Sequence, residues 1–148
     1  MSTVPDLKHH HIGISVPDID IAVRWWKDML GFAESHRFYI EHAGAQVVFL
    51  SRADLNIELF QTKDAAPLPD DRRIPILDLK THGNKHGAFR VDDLDELLAY
   101  AEAKGADVAM GKTPVPIGLV CFLRDPAGNL IEFVQESADF TAARANAR

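Results

Sequence analysis

The chain has 148 residues, 47% of them hydrophobic and 26% charged, which is enough apolar material for one folded domain and excludes a disordered chain. Its 16 Lys and Arg face 22 Asp and Glu, and this formal net charge of -6 argues against nucleic acid or an anionic membrane as partner, since both reward a basic face. The single cysteine, Cys121, leaves no internal disulfide. No apolar run reaches the ~18–20 residues that cross a bilayer, and Met1–Leu7 carries Pro5 and Asp6 where a signal peptide has its apolar core, so a cytoplasmic protein is expected.

In chain order, the sequence predicts a strand over His11–Val16, then a helix capped by Asp18 or Asp20 and closed by Gly31. The apolar face of that helix is Ala22, Trp26 and Met29, or Val23, Trp26 and Leu30. Three strands follow at Ser35–Ile40, Gln46–Ser51 and Leu55–Gln61. Residues 63–85, with Pro67, Pro69 and Pro75 among charges, read as an exposed connector or a lid. A strand at His86–Val91 leads to a second helix, where Asp93 and Glu96 have capping-box spacing. Leu94, Leu97, Leu98 and Ala101 form its apolar stripe, and Gly105 ends it. Strands at Asp107–Met110, Leu119–Arg124 and Leu130–Gln135 come next, the last two joined by the turn Asp125-Pro-Ala-Gly-Asn129. The tail Phe140–Arg148 is rich in Ala and Arg and reads as a helix that covers a partner.

Two of these stretches repeat. His11-Ile-Gly-Ile-Ser-Val-Pro-Asp-Ile-Asp20 and His86-Gly-Ala-Phe-Arg-Val-Asp-Asp-Leu-Asp95 share His, a later Val and the closing Asp–aliphatic–Asp, 75 residues apart. Asn56-Ile-Glu-Leu-Phe-Gln61 and Leu130-Ile-Glu-Phe-Val-Gln135 share Ile-Glu and the final Gln, 74 residues apart. The expected fold is therefore α+β, built of two tandem βαβββ modules with mixed strand pairing. A single domain over 1–148 would comprise a first module at 9–62, a connector at 63–85, a second module at 86–136 and a tail at 137–148.

Each module supplies a histidine at its first strand and a glutamate on its last: His11 with Glu58, and His86 with Glu132. A glutamate inside Ile-Glu-Leu-Phe or Ile-Glu-Phe-Val is costly to bury without a partner, and if the last strand pairs beside the first the two residue types meet on one face. Two imidazoles and two carboxylates suit a six-coordinate divalent cation, and Ni, Co, Zn, Mn and Fe all accept such donors. His9 and His10 fall outside the repeated frame and are not expected as ligands, and His82, four residues before His86, is expected to face solvent, with a contact to a ligand or to substrate as the alternative. Side-chain parity places Gly13 and Ser15 with His11, Asn56, Phe60 and Thr62 with Glu58, and Ala88 and Arg90 with His86. Arg90 would then bind an anionic group of the substrate or pair with an acid that supports a ligand, while Phe60 and Phe122 would form an apolar wall.

The quoted motifs, together with Met29-Leu-Gly-Phe32 and Asp125-Pro-Ala-Gly-Asn-Leu-Ile-Glu-Phe133, make residues 9–136 resemble the vicinal oxygen chelate superfamily. That superfamily includes glyoxalase I, methylmalonyl-CoA epimerase, fosfomycin-resistance proteins, extradiol dioxygenases and bleomycin-resistance proteins. The resemblance implies a curved sheet around one divalent metal held by His11, Glu58, His86 and Glu132. A fourth ligand at Glu58 is similar to glyoxalase I and to the epimerase, which implies a lyase or isomerase that transfers a proton next to a carbonyl of a small substrate, with Glu132 and Glu58 as candidate bases. Ser15 and Thr62 stand where bacterial glyoxalase I carries Arg and Asn for glutathione, and Gln46-Val-Val-Phe49 lacks the epimerase's acid–base Glu. The alternatives are an Fe(II) ring-cleaving dioxygenase of the extradiol type and a binding or resistance protein without catalysis. Open sheet edges and a helix face carrying Trp25 or Trp26 lead to the expectation of a homodimer.

Overall fold

The computed structural model describes residues 4–147. Met1–Thr3 and Arg148, which the readings of the N-terminus and the tail included, lie outside the described residues. The chain separates into two compact units between Ala65 and Ala66.

The first unit runs β1 (Ile12–Ser15), α1 (Ile19–Leu30), β2 (Ala33–Ile40), β3 (Ala45–Arg52) and β4 (Leu55–Thr62). These strands form one mixed sheet in the order β1-β4-β3-β2, with β1 parallel to β4 and the other pairs antiparallel. Asp18 is the helix cap: its carboxylate accepts from the backbone N–H groups of Asp20 and Ile21. Gly31, at φ 69°, takes the left-handed conformation that stops the helix. Of the two faces the sequence offers, Ala22, Trp26 and Met29 are buried, with Ile19 and Leu30 beside them. Trp26 is 1% exposed and belongs to the core, so it is not part of an open helix face as expected; Trp25 is half-buried. Beneath the helix, Leu50 pairs with Ile57 and Val48 with Leu59, and all four are fully buried.

The second unit repeats this plan with β5 (Gly87–Arg90), α3 (Leu94–Ala103), β6 (Asp107–Val115), β7 (Gly118–Arg124) and β8 (Leu130–Glu136), in the sheet order β5-β8-β7-β6. Strand β5 is parallel to β8, as β1 is to β4. Asp93 caps α3 through the N–H of Glu96. In each unit a glutamine at the end of the last strand holds the first helical N–H: Gln61 accepts from Ile19 at 2.7 Å and Gln135 from Leu94 at 2.8 Å. The predicted turn is closed by Asp125, whose carboxylate accepts from the N–H groups of Ala127 and Asn129 and from the Asn129 amide. Strand β6 extends well beyond the expected Met110, and register shifts around Met110 break the alternation that would have shown it.

Residues 66–85 belong to the second unit and contain a 3-10 turn at Asp70–Arg73 and the short helix α2 (Pro75–Asp78). This segment is fastened down. Asp78, 1% exposed, accepts from Arg72 Nε at 2.7 Å and from Lys85 Nζ at 3.3 Å. Arg124 Nε donates to the Arg73 carbonyl, and the Arg73 guanidinium lies so close to Gly128 that a Cβ there would come within 2.8 Å of it. The lid reading gives way to a pinned connector, because a lid needs few buried contacts to move. The tail forms α4 (Ala138–Ala145), capped by Ser137. No helix among the described residues is long and apolar enough to cross a membrane.

Candidate functional site

The parallel pairing of first and last strands sets the site. Gly13 lies beside Glu58 in the first sheet and Ala88 beside Glu132 in the second, so the histidine just before each first strand reaches the glutamate on the same face. His11 Nε2 is 2.8 Å from Glu58 Oε2, and His86 Nε2 is 3.1 Å from Glu132 Oε2. The glutamate side chains are 14% and 16% exposed, which answers how a charged residue stands in an apolar strand: each has an imidazole as partner.

These distances also test the fit to a metal. Bonds of about 2.1 Å at right angles place neighbouring donor atoms about 3.0 Å apart, so both pairs have the span of one edge of an octahedral site. The imidazole nitrogen and carboxylate oxygen concerned are donor types that divalent ions accept. Among the described residues no group of three or more His, Cys, Asp or Glu side chains that could hold a metal ion is gathered, and each unit by itself holds one His–Glu pair.

An aromatic ring accompanies each pair. Phe49 lies across from Glu58 and Phe122 across from Glu132. Their rings meet His11 and His86 edge-on, at centroid distances of 5.4 and 4.9 Å. Phe122 is the expected wall residue; Phe49 is its counterpart, and the sequence reading named Phe60 in its place. Phe60 pairs with Ser15 on the Glu58 face, and a Cβ on Gly13 would sit 3.3 Å from its ring, so the small residue at 13 leaves that ring room. Ser15 is exposed.

Arg90 keeps the parity of His86 but is more than half exposed, with its guanidinium 4.0 Å from Glu136. That carboxylate is already engaged by Arg144 Nε at 2.9 Å and the Thr141 hydroxyl at 2.7 Å, which together hold it below the usual carboxylate range, the Thr141 hydrogen bond acting most. His82 is exposed, as expected. Cys121 is fully buried on the strand next to Phe122, and burial, then the charge of Glu132, pushes its thiol up to about 11. It is a packing residue with no thiolate to offer.

Two βαβββ units, each with a His–Glu pair on one sheet face, define a duplicated α+β fold. The chain belongs to the Glyoxalase/Bleomycin resistance protein/Dioxygenase superfamily, whose family model matches residues 10–139. An uncharacterized protein of Pseudomonas aeruginosa is 29% identical over 134 residues, covering 83% of this chain and 84% of that one. Among solved structures, a glyoxalase family protein from Enterococcus faecalis superposes with a TM-score of 0.72 at 18% identity, covering 85% of this chain and 95% of that one. The trypanothione-dependent glyoxalase I of Leishmania major superposes with a TM-score of 0.68 at 21% identity, over 95% of each chain.

Sequence reasoning missed Phe49 and the two capping glutamines. Val48-Phe49-Leu50 and Cys121-Phe122-Leu123 share only Phe-Leu, 73 residues apart and so outside the 75- and 74-residue frame of the repeat. The glutamines were part of the repeat that located Glu58 and Glu132, but their bonds span 42 and 41 residues.

Proposed function

We propose that this chain is a divalent-metal-dependent lyase or isomerase that moves a proton on the carbon next to a carbonyl of a small substrate. The observation that carries the reading is the duplicated His–Glu pair, with donor atoms 2.8 and 3.1 Å apart at equivalent positions of the two units. His11, Glu58, His86 and Glu132 are the ligands in this reading, with one ion per chain. Bound to such donors, a divalent ion supplies Lewis-acid stabilisation of negative charge on a carbonyl oxygen. The chain's own residues do the rest. Glu132 or Glu58 takes up the proton at a carboxylate oxygen, and a positioned carboxylate of this kind contributes about 10²–10⁴-fold. Phe49 and Phe122 keep water from the imidazole edges. Phe60 and Ser15 meet the substrate on the Glu58 face, and Arg90, exposed at the end of β5, suits an anionic group at the substrate's far end. A fourth ligand at Glu58 favours a glyoxalase-type reaction over an oxidative one in this reading.

The test is metal analysis of the purified protein, followed by turnover in deuterated water with 2-oxo-hemithioacetals, 2-substituted acyl-CoAs and catechols. Incorporation of deuterium at the carbon beside the carbonyl is the expected result. Consumption of dioxygen with a catechol, dependent on Fe(II), would replace this reading with a ring-cleaving dioxygenase. Tight binding of an aromatic compound with no turnover and no metal would replace it with a binding protein.

A further inference from the structure

We propose that His10, outside the repeated frame, is a positioning residue that keeps the Nε2 lone pair of His11 available to a metal ion. The inference deepens the metal reading above and rests on it. His10 Nδ1 lies 2.7 Å from His11 Nδ1. A contact between two ring nitrogens needs a proton on one and a lone pair on the other. When His11 Nε2 ligates, its ring proton sits on Nδ1 and is donated to His10 Nδ1, the kind of outer hydrogen bond that fixes ring orientation and raises ligand basicity. When the metal is absent, His11 Nε2–H donates to Glu58 across their 2.8 Å contact, and His10 Nδ1–H donates to His11.

The support is itself supported. The His10 ring stands edge-on to His11 at 5.0 Å and to Phe49 at 6.3 Å. Its carbonyl accepts from Asn56 Nδ2 at 3.1 Å, and Asn56 Oδ1 accepts from the Ser51 hydroxyl at 2.8 Å. Strands β3 and β4 thus fix the residue that orients His11. In the second unit Lys85 occupies the equivalent place and turns its amine to Asp78 and to the Thr81 carbonyl. His10 is therefore a feature of the first half alone and not a by-product of the duplication.

The test is titration of the metal-free protein with Zn(II), read by calorimetry and by ¹⁵N NMR of the imidazoles. His10→Ala is expected to weaken Zn(II) binding by about 10–100-fold, the usual effect of removing such an outer partner, and His10→Asn, whose amide oxygen accepts the same bond, is expected to restore most of it. In the wild-type protein the His10 ring proton should move from Nδ1 to Nε2 on loading. Unchanged Zn(II) affinity in His10→Ala, or a His10 tautomer that ignores the metal, overturns the proposal while leaving the metal reading standing. A wild-type protein that takes up no divalent ion overturns both.

Discussion

Phe49 and Phe122 hold the same place in their two sheets: each lies directly across from the glutamate of its pair, and each turns a ring edge-on to the histidine. Their surroundings differ. Phe122 is 6% exposed and packs with Val120, Leu130 and Val134, whereas Phe49 is half-buried and stacks on Phe38, itself 43% exposed. Truncation should therefore separate them. Phe122→Ala is expected to lose about 3–5 kcal/mol, the cost of emptying a packed aromatic site. Phe49→Ala should lose clearly less, and chemical denaturation of the two variants reads the difference. Equal losses would show that the two rings are not differently packed.

The ligand variants divide by chemistry. His11→Ala and His86→Ala each delete a nitrogen donor and should abolish stoichiometric metal, measured by elemental analysis after dialysis. Glu132→Gln keeps an oxygen donor but no longer takes up a proton, so metal should be retained in part while turnover falls about 10²–10⁴-fold. Arg90→Ala should raise KM for an anionic substrate more than it lowers kcat, since the exposed cation contributes to binding. Full metal content in His86→Ala would remove that residue from the ligand set.

The fold was legible because the duplication displays the same residue types at the same strand parity twice, and a lone His or Glu would have carried no such weight. The two His–Glu pairs were legible for the same reason: Glu58 and Glu132 interrupt apolar strands, and only a nearby partner makes that tolerable. Three things were hidden. Phe49 sits among Val47, Val48 and Leu50, where an apolar residue carries no polar marker. The charges of residues 63–85 read as a solvated run, because nothing local shows that Asp78 is buried between Arg72 and Lys85. Arg90 has the parity of His86, but parity gives a face and not a depth, and the strand ends at Arg90.

A homodimer is the expected assembly. Strand β2 is an edge strand exposed along nearly its whole length, with Phe38 and Tyr39 43% and 52% exposed, and Ile76 and Leu79 of the connector are about two-thirds exposed. Apolar side chains of this size on open edges mark association. Light scattering at micromolar protein should give the mass of two chains, and a single-chain mass would reject the dimer.

Asp78 is the centre of the connector. Removing its carboxylate in Asp78→Ala leaves Arg72 and Lys85 turned towards a buried position with no counter-charge. Breaking a buried pair costs about 3–5 kcal/mol, and the low end, about 3 kcal/mol, is expected because Arg72 keeps access to water. Because Lys85 precedes His86, the same variant should also weaken metal binding. Urea denaturation and a metal titration read the two effects, and a loss below about 1 kcal/mol, the size of an exposed pair, would show that Asp78 does not pin the segment.

Glu136 ties the tail to the second sheet, accepting from Thr141 and Arg144 of α4. These bonds hold its carboxyl below the ordinary value of 4.5, first through Thr141 and then through Arg144. A folded value below the unfolded one means that the charged form is bound more tightly in the folded state, so this contribution is complete above 4.5 and is lost as the pH falls through the lowered folded value. On acidification α4 should therefore detach at a lower pH than that at which an unperturbed glutamate protonates. The Thr141 and Arg144 signals in NMR spectra report this, and Glu136→Gln should show the detached signals at neutral pH. Signals of α4 that stay constant from neutral pH to well below 4.5 would mean that Glu136 does not hold the tail.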